Sequence, residues 1–585
     1  MAKGLKIIFV GIIFLFLPVF VSAISLGEKT DFFVDPSYDF SQREEISAIL
    51  QRIGKRAYFY IDNQWWEALE YQEKQQVYQV LQNLDYEFYY KIYPTLTSNF
   101  GSEWKPGIDK EAIITILIHP MKEEAGGYFN YGDEYPRVQN PKSNQREMFY
   151  LNADYITTSL AKSFLAHEFT HLITFNQKEK IYGVSEEIWL NEARAEYAST
   201  LVGYDSEYEG SNLQKRVKIF LENPSDSITE WQGKKADYGA LNLFTQYLVE
   251  HYGVKILADS LKSKEIGIKS LNEALEKNGF EEDFSQIFTD WTITVLANNC
   301  SLGEKYCYKG ENLKNLRVAS SINFLPLKGN SSLGVSHTTK NWSGNWFKFI
   351  GGKGTLKIKF IGNPENLFRT PYLIRDFLGK YSLDFFQLDE YQRGEILIPR
   401  FGTEVSSVII IPSIQSKISG FEDSELAFPF FWEASTITEI ENENGNSNSE
   451  CLQKPISEMT GEEILAKISE IENLLNQLKA QLVKIKEMEE KEPVSVTCQG
   501  FEQNLFYGLR NDDRVYCLQQ FLKSQGLEIY PEGLVTGNFL SLTRTAVIRF
   551  QEKYADEILA PLGLERGTGF VGLMTRTKIN QLSAQ

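Results

Sequence analysis

At 585 residues the chain is too long for a single hydrophobic core, and roughly three or four domains are expected. Its 78 acidic and 60 basic side chains give a formal net charge of −18, which excludes the basic footprint of a nucleic-acid binder. The five cysteines, Cys300, Cys307, Cys451, Cys498 and Cys517, fall at no zinc-binding spacing.

The chain opens with Lys3 and Lys6, an apolar run over 7–21, and Val21-Ser-Ala23. This is the pattern of a secretory signal peptide over 1–23, so an exported protein, extracellular or associated with the cell envelope, is expected. The run is short for a membrane span and contains Pro18, and an uncleaved anchor is the alternative. No cysteine follows the cleavage site, which argues against a lipoprotein. In an exported chain Cys300 with Cys307, and Cys498 with Cys517, are natural disulfide partners. Cys451 is then left over for a free thiol or an intermolecular bridge. Residues 24–100 contain the strand-like Tyr58-Phe-Tyr-Ile61 and a helix-like stretch over 67–90. They are either a removable prosegment or the first part of a domain spanning 24–315.

Strand-like residues 147–151 lead into a predicted helix over 160–176, with Thr158 or Ser159 as its cap. Leu160, Phe164, His167 and His171 recur on one face of it. The stretch His167-Glu168-Phe169-Thr170-His171 places two imidazoles four residues apart, where both can hold one Zn2+. Glu168 between them is the candidate general base. The alternative is a buried helix whose histidines bond to backbone groups. A catalytic zinc takes a third protein ligand, and Glu187-Ile-Trp-Leu-Asn-Glu-Ala-Arg-Ala-Glu-Tyr197 reads as a second helix that supplies one. Glu192, 21 residues after His171, is assigned to the metal. Glu196, one turn on, is placed to accept the free ring N–H of a ligand histidine. The two roles can be exchanged, and an acidic pair on a solvated helix face is the other reading. A further amphipathic helix is predicted over 238–253, ended by Gly253; His251 near its end reads as a capping or surface residue.

His-Glu-x-x-His followed by Trp189-Leu-Asn-Glu192 resembles the gluzincin metallopeptidases, the group of thermolysin and aminopeptidase N. Trp189-Leu-Asn-Glu-Ala-Arg-Ala-Glu-Tyr197 is most similar to the secreted hyicolysin-type peptidases, with Ala193 where their motif has Gly. The resemblance implies a zincin fold, a sheet packed on the active-site helix above a mostly helical lower half. It implies that Tyr238, which opens the helix after the ligand helix, donates to the oxyanion of a tetrahedral intermediate; a packing tyrosine is the alternative. By the same analogy, Ala125-Gly-Gly-Tyr-Phe-Asn130 forms an edge strand along which an extended substrate pairs. Glu168 would take a proton from the attacking water and pass it to the leaving amine.

Over 316–435 the pattern changes to short alternating runs such as Trp346-Phe-Lys-Phe-Ile350 and Leu356-Lys-Ile-Lys-Phe360, the signature of a β-sandwich. Residues 436–458 read as a flexible linker. A capping box at Thr460 and Glu463 opens a heptad pattern within 459–490, with Ile464, Ile468, Ile471, Leu475, Leu478, Leu482 and Ile485 on its seam. This short coiled coil is either a homo-oligomerisation surface or a solitary helical spacer. Within 495–585, Thr536-Gly-Asn-Phe-Leu-Ser-Leu-Thr-Arg-Thr545 and Thr568-Gly-Phe-Val-Gly-Leu-Met-Thr-Arg-Thr577 repeat one another, which predicts a small helical bundle with internal symmetry. With Tyr507-Gly508, Val515 and Leu518-Gln-Gln-Phe-Leu522 they resemble the bacterial peptidoglycan-binding domain, although Asn511 stands where that family often has Gly. That resemblance implies attachment to cell-wall peptidoglycan.

The expected fold class is therefore multidomain: an α+β zincin-like peptidase domain, a β-sandwich, a short coiled coil and a small α-helical peptidoglycan-binding domain. The expected activity is zinc-dependent endoproteolysis of protein or peptide substrates, tethered to the cell wall. Cleavage of peptidoglycan cross-links is one alternative, and a non-catalytic envelope adhesin or scaffold is the other.

Overall fold

A computed structural model describes residues 24–326, 331–421, 424–437, 498, 500–510, 512–531, 533–562, 564 and 566–583. The expected signal peptide, the linker beyond residue 437, Cys451 and the coiled-coil heptads lie outside the described residues.

The N-terminal domain is built on a six-stranded sheet. Its strands are β1 (Lys29–Phe33), β2 (Glu45–Ile53), β3 (Ala57–Asp62), β4 (Ile114–His119), β5 (Gly127–Tyr128) and β6 (Met148–Asn152), in the order β1-β2-β3-β4-β6-β5. The pairs β3–β4 and β4–β6 are parallel and the remaining pairs antiparallel. Every residue of β4 and β6 is buried, as parallel strands covered on both faces require. Alternation divides them: Phe59, Ile116, Ile118, Phe149 and Leu151 join the helical core, while Tyr60, Leu117, Met148 and Tyr150 pack with Phe32, Val34 and Met121 on the other side. Residues 24–100 thus supply three of the six strands, and β3 sits inside the sheet between β2 and β4.

Around this sheet lie α1 (Asn63–Ala68), α2 (Tyr71–Glu87), α3 (Tyr93–Phe100), α4 (Ala161–Thr174), α5 (Ile188–Val202), α6 (Asn212–Glu222), α7 (Lys235–Tyr252), α8 (Lys255–Leu261), α9 (Gly267–Lys277) and α10 (Phe284–Ala297). The motif helix α4 is not capped by Thr158 or Ser159 as its sequence suggests; Leu160 stands at the cap. Thr158 Oγ1 donates instead to Tyr155 O at 2.7 Å, and the entering turn supplies Ala161 N with Thr158 O at 3.3 Å. The helix continues past Thr174 as a π-turn over Phe175–Lys180. Helix α5 ends at Gly203, whose φ of 87° is the left-handed cap that a Cβ would disfavour.

The second domain contains β7 (Ser321–Leu325), β8 (Ser331–Thr339), β9 (Phe347–Gly351), β10 (Gly354–Gly362), β11 (Phe368–Arg369), β12 (Pro371–Asp376), β13 (Tyr381–Phe385), β14 (Arg393–Phe401), β15 (Val405–Ile410), β16 (Ser413–Ile414) and β17 (Phe428–Ile437). Where the sequence predicts two sheets, nine of these strands form one hydrogen-bonded sheet that folds over on itself. The fold-over is at one residue pair, Phe401↔Val405, where β14 meets β15 in parallel. Across it, Phe349, Val408 and Ile410 pack against Leu356, Ile358, Phe360 and Trp432 in one core. This domain is fused to the first: Trp342 lies 4.8 Å from Phe284 and 5.4 Å from Phe288, ring to ring, and Trp346 Nε1 donates to Thr292 O at 3.0 Å.

The C-terminal module holds α11 (Asp513–Ser524), α12 (Ser541–Lys553), α13 (Ala555–Ile558) and α14 (Leu573–Ser583) around its own core. Its internal repeat is physical. Gln519 Oε1 accepts from Thr536 N and Gly537 N at 2.7 and 2.8 Å, and its amide donates to Asn538 O and Thr543 Oγ1. Gln551 does the same with Thr568 N, Gly569 N, Phe570 O and Thr575 Oγ1. Disulfides join Cys300 to Cys307 and Cys498 to Cys517. Among the described residues no helix is long and apolar enough to cross a membrane.

Candidate metal centre

Helices α4 and α5 pack side by side and bring His167, His171 and Glu192 together, with one donor atom from each lying within 4.8 Å of the others. The two Nε2 atoms are 3.1 Å apart, and Glu192 Oε2 lies 3.3 Å from His167 Nε2 and Glu192 Oε1 3.7 Å from His171 Nε2. A tetrahedral cation bound at about 2.0–2.1 Å spaces its donors by roughly 3.3 Å, so the set fits such an ion. Glu192 Oε2 is buried with no hydrogen-bond donor of good geometry, as an oxygen reserved for a cation would be. Charge points the same way. Burial disfavours a proton on His167, yet Glu192, Glu168 and Glu196 together push it up to about 9. Burial lowers His171, with Glu192 opposing it.

The far side of each ring is also held. His171 Nδ1 is 3.1 Å from Asn191 Oδ1, and His167 Nδ1 is 3.5 Å from Glu196 Oε1. Both contacts leave Nε2 facing inward. Glu196 is buried, and burial would raise its carboxyl, but Arg216 outweighs that through two hydrogen bonds of 2.7 and 2.6 Å. With Asn242 donating at 3.1 Å and His167 nearby, Glu196 is held down to about 2. It therefore stays a carboxylate and turns its charge on the ring.

Glu168 lies on the same helix, 4% exposed, with Oε2 unpartnered. Burial pushes its carboxyl up to about 8, Glu192 and Glu196 adding to the effect and His167 opposing it. A divalent cation beside it would pull that value back toward neutrality. Strand β5 runs past this carboxyl: a Cβ on Gly127 would lie 2.9 Å from Glu168 Cγ, so only glycine lets the strand approach so closely.

Tyr238 is half-buried on α7, edge-on to Trp231 at 4.8 Å and beneath the Arg216 guanidinium at 4.5 Å. Burial and then Glu192 hold its phenol well above the usual range. His251, at the other end of α7, pairs with Cys307 O at 3.0 Å, away from the cluster. Tyr38 was not legible as a site residue. Its ring stacks on Tyr128 of β5 at 4.6 Å, and its phenol is raised by burial, by Asp35, and by Glu192 and Glu168. The adjacent Asp39 fixes it, bound to Arg43 at 2.8 Å and His119 Nδ1 at 3.2 Å. Arg216, Asn191 and Asn242 were equally hidden; only Asn191, beside Glu192, carried a signal of position.

No protein-family profile and no curated protein matches the chain. Structural similarity is slight. The pre-peptidase C-terminal domain of a Bacillus anthracis collagenase is 8% identical, with a TM-score of 0.13, over 20% of this chain and 94% of that one. A periplasmic inhibitor of g-type lysozyme from Aeromonas hydrophila is 12% identical, with a TM-score of 0.13, over 20% of this chain and 98% of that one. A family GH115 4-O-methyl-α-glucuronidase is 8% identical, with a TM-score of 0.12, over 55% of this chain and 51% of that one. Scores this low carry no argument about fold or activity.

Proposed function

We propose that this chain is an exported, zinc-dependent metalloendopeptidase of gluzincin type whose C-terminal module holds it at the cell wall through peptidoglycan. The observation that carries the reading is the convergence of His167, His171 and Glu192 within 4.8 Å, with Glu168 buried beside them. A bound Zn2+ would supply Lewis acidity, activating water and polarising the scissile carbonyl. Glu168, on the wall shared with β5, takes the proton from the attacking water and returns it to the leaving amine. Its dry surroundings favour this, because burial raises the carboxyl above the ordinary range and strengthens it as a base toward the water's proton. Glu196 and Asn191 keep the two imidazoles facing inward. Tyr238, steadied by Arg216, and Tyr38, steadied by Tyr128, present phenols toward the cluster as donors to the developing oxyanion. The open edge of β5 offers backbone groups for an extended substrate.

The deciding experiment is metal analysis of the purified full chain beside a chelator-sensitive casein assay. One zinc per chain and an activity abolished by chelator are expected. Glu168→Gln should keep the zinc and lose about 10²–10⁴-fold in kcat. A wild type that binds zinc and cleaves neither casein nor cell-wall peptides would overturn the reading in favour of an adhesin. Release of wall fragments without casein cleavage would move the substrate to peptidoglycan cross-links.

A further inference from the structure

The internal repeat of the C-terminal module places an arginine at the same point twice, Arg544 on α12 and Arg576 on α14. Their surroundings differ. Arg576 stays within the module and donates to Glu502 O, whereas Arg544, only 4% exposed, leaves the module and enters the N-terminal domain. There its guanidinium pairs with Glu179 at 2.5 Å, donates to Ser185 Oγ at 3.0 Å and to the Tyr135 hydroxyl, and lies over the rings of Tyr131 and Tyr135 at 4.8 and 5.4 Å. Tyr507 of the module meets Tyr131 edge-on at 4.3 Å. A guanidinium buried in this way is costly unless every face of it is matched, and here a carboxylate, two hydroxyls and two aromatic faces match it.

The receiving residues continue the elements that form the metal site. Tyr131 lies three residues beyond β5, the strand that touches Glu168, and Glu179 lies in the π-turn that continues α4. The Arg544 pocket and the Tyr507–Tyr131 contact therefore seat the module beside the elements of the metal site. The Arg544 contact is polar and charged, which suits a surface that opens as well as closes.

We propose that the C-terminal module is a built-in cap on the metal cleft, latched by Arg544 on Glu179, Tyr131 and Tyr135, and that a protein substrate enters when the latch opens. The gating part rests on the peptidase reading; the docking part does not. In the full chain, Arg544→Glu should open the latch, and the double variant Glu179→Arg with Arg544→Glu should close it again with the charges exchanged, which a misfolded module would not do. Three measurements read the result: particle dimension by small-angle scattering, nitration of Tyr131 by tetranitromethane, and casein cleavage at equal zinc content. Arg544→Glu should lengthen the particle, speed Tyr131 nitration and raise casein cleavage roughly tenfold, as expected when a mostly closed equilibrium is shifted open. The double variant should reverse all three. Unchanged dimension and nitration would overturn the cap, and so would an extended variant that cleaves casein no faster than an active wild type. If no form cleaves casein or wall peptides, the peptidase reading fails instead, and dimension with nitration alone decides whether the cap stands.

Discussion

Glu192 and Glu196 are one helical turn apart and do opposite work because their neighbours differ. Glu192 has one buried oxygen with no well-formed hydrogen bond, facing His167 Nε2 at 3.3 Å; Glu196 is saturated by Arg216, Asn242 and Asn212, and only its field reaches His167. Glu196→Gln should therefore weaken zinc binding by about 10–100-fold without displacing a ligand, measured by competition with a chromophoric chelator. An affinity equal to wild type would show that Glu196 serves only to bury Arg216. Arg216→Met tests the other half of the pair. It strands a buried carboxylate and should cost about 3–5 kcal/mol in chemical denaturation. The candidate ligands were legible in sequence because each pair of functional groups lies within one helix, at i and i+4, and helical spacing alone sets their common face. Arg216 on α6, Asn242 on α7 and Tyr38 before β2 were not, since nothing local ties them to α4 or α5.

At the scale of elements, the second motif is legible almost residue by residue once α5 is in place. Trp189 Nε1 donates to Glu187 at 2.6 Å, Asn191 orients His171, Glu192 faces the cluster, and Arg194 pairs with Glu186 at 2.8 Å inside the core. Ala193, where the resembling family has Gly, is 2% exposed and fits. The repeat in the C-terminal module was legible as Thr-Gly and Thr-Arg-Thr, but its cause was not. The cause is the pair of buried glutamines, each bonding the two amides at the start of a repeat. Gln551→Ala should strand Thr568 N and Gly569 N, cost about 1–3 kcal/mol per unsatisfied group, and speed hydrogen exchange at these two amides. Unchanged exchange there would mean that the turn holds itself. The continuity of the nine-stranded sheet was hidden for a simpler reason: alternation marks which strands are half-buried, and one bridge at Phe401 and Val405 decides whether two layers are one sheet.

For the whole molecule, the hardest question to answer from sequence was whether residues 24–100 belong to the domain, because a strand's pattern does not name its partners. Their place in the centre and at one edge of the first sheet means that removing them would expose β4 and the sheet's helical face together. The domain so formed buries more acids than it pairs, and this sets its response to pH. Burial raises the carboxyls of Asp133, Glu147 and Glu187 to about 7 each. Such groups are ordinarily half-ionised near pH 4 in an unfolded chain. Between these limits the folded protein holds protons that the unfolded chain has released, so their contribution to stability is complete below about pH 4 and is lost as pH rises toward 7. Glu196 works in the opposite sense, but its folded value of about 2 confines its effect to strong acid, where stability is lost as pH falls. Each raised carboxyl costs about 1.4 kcal/mol per pH unit across its window. Calorimetry of the zinc-loaded full chain should therefore give a Tm for the N-terminal domain several degrees higher at pH 5 than at pH 8. Asp133→Asn should flatten part of that slope, since an amide oxygen still accepts from Asn144 N without the titration. A Tm that climbs from pH 5 to pH 8 would mean that these carboxyls are ionised in the folded protein, and that something other than a proton neutralises them.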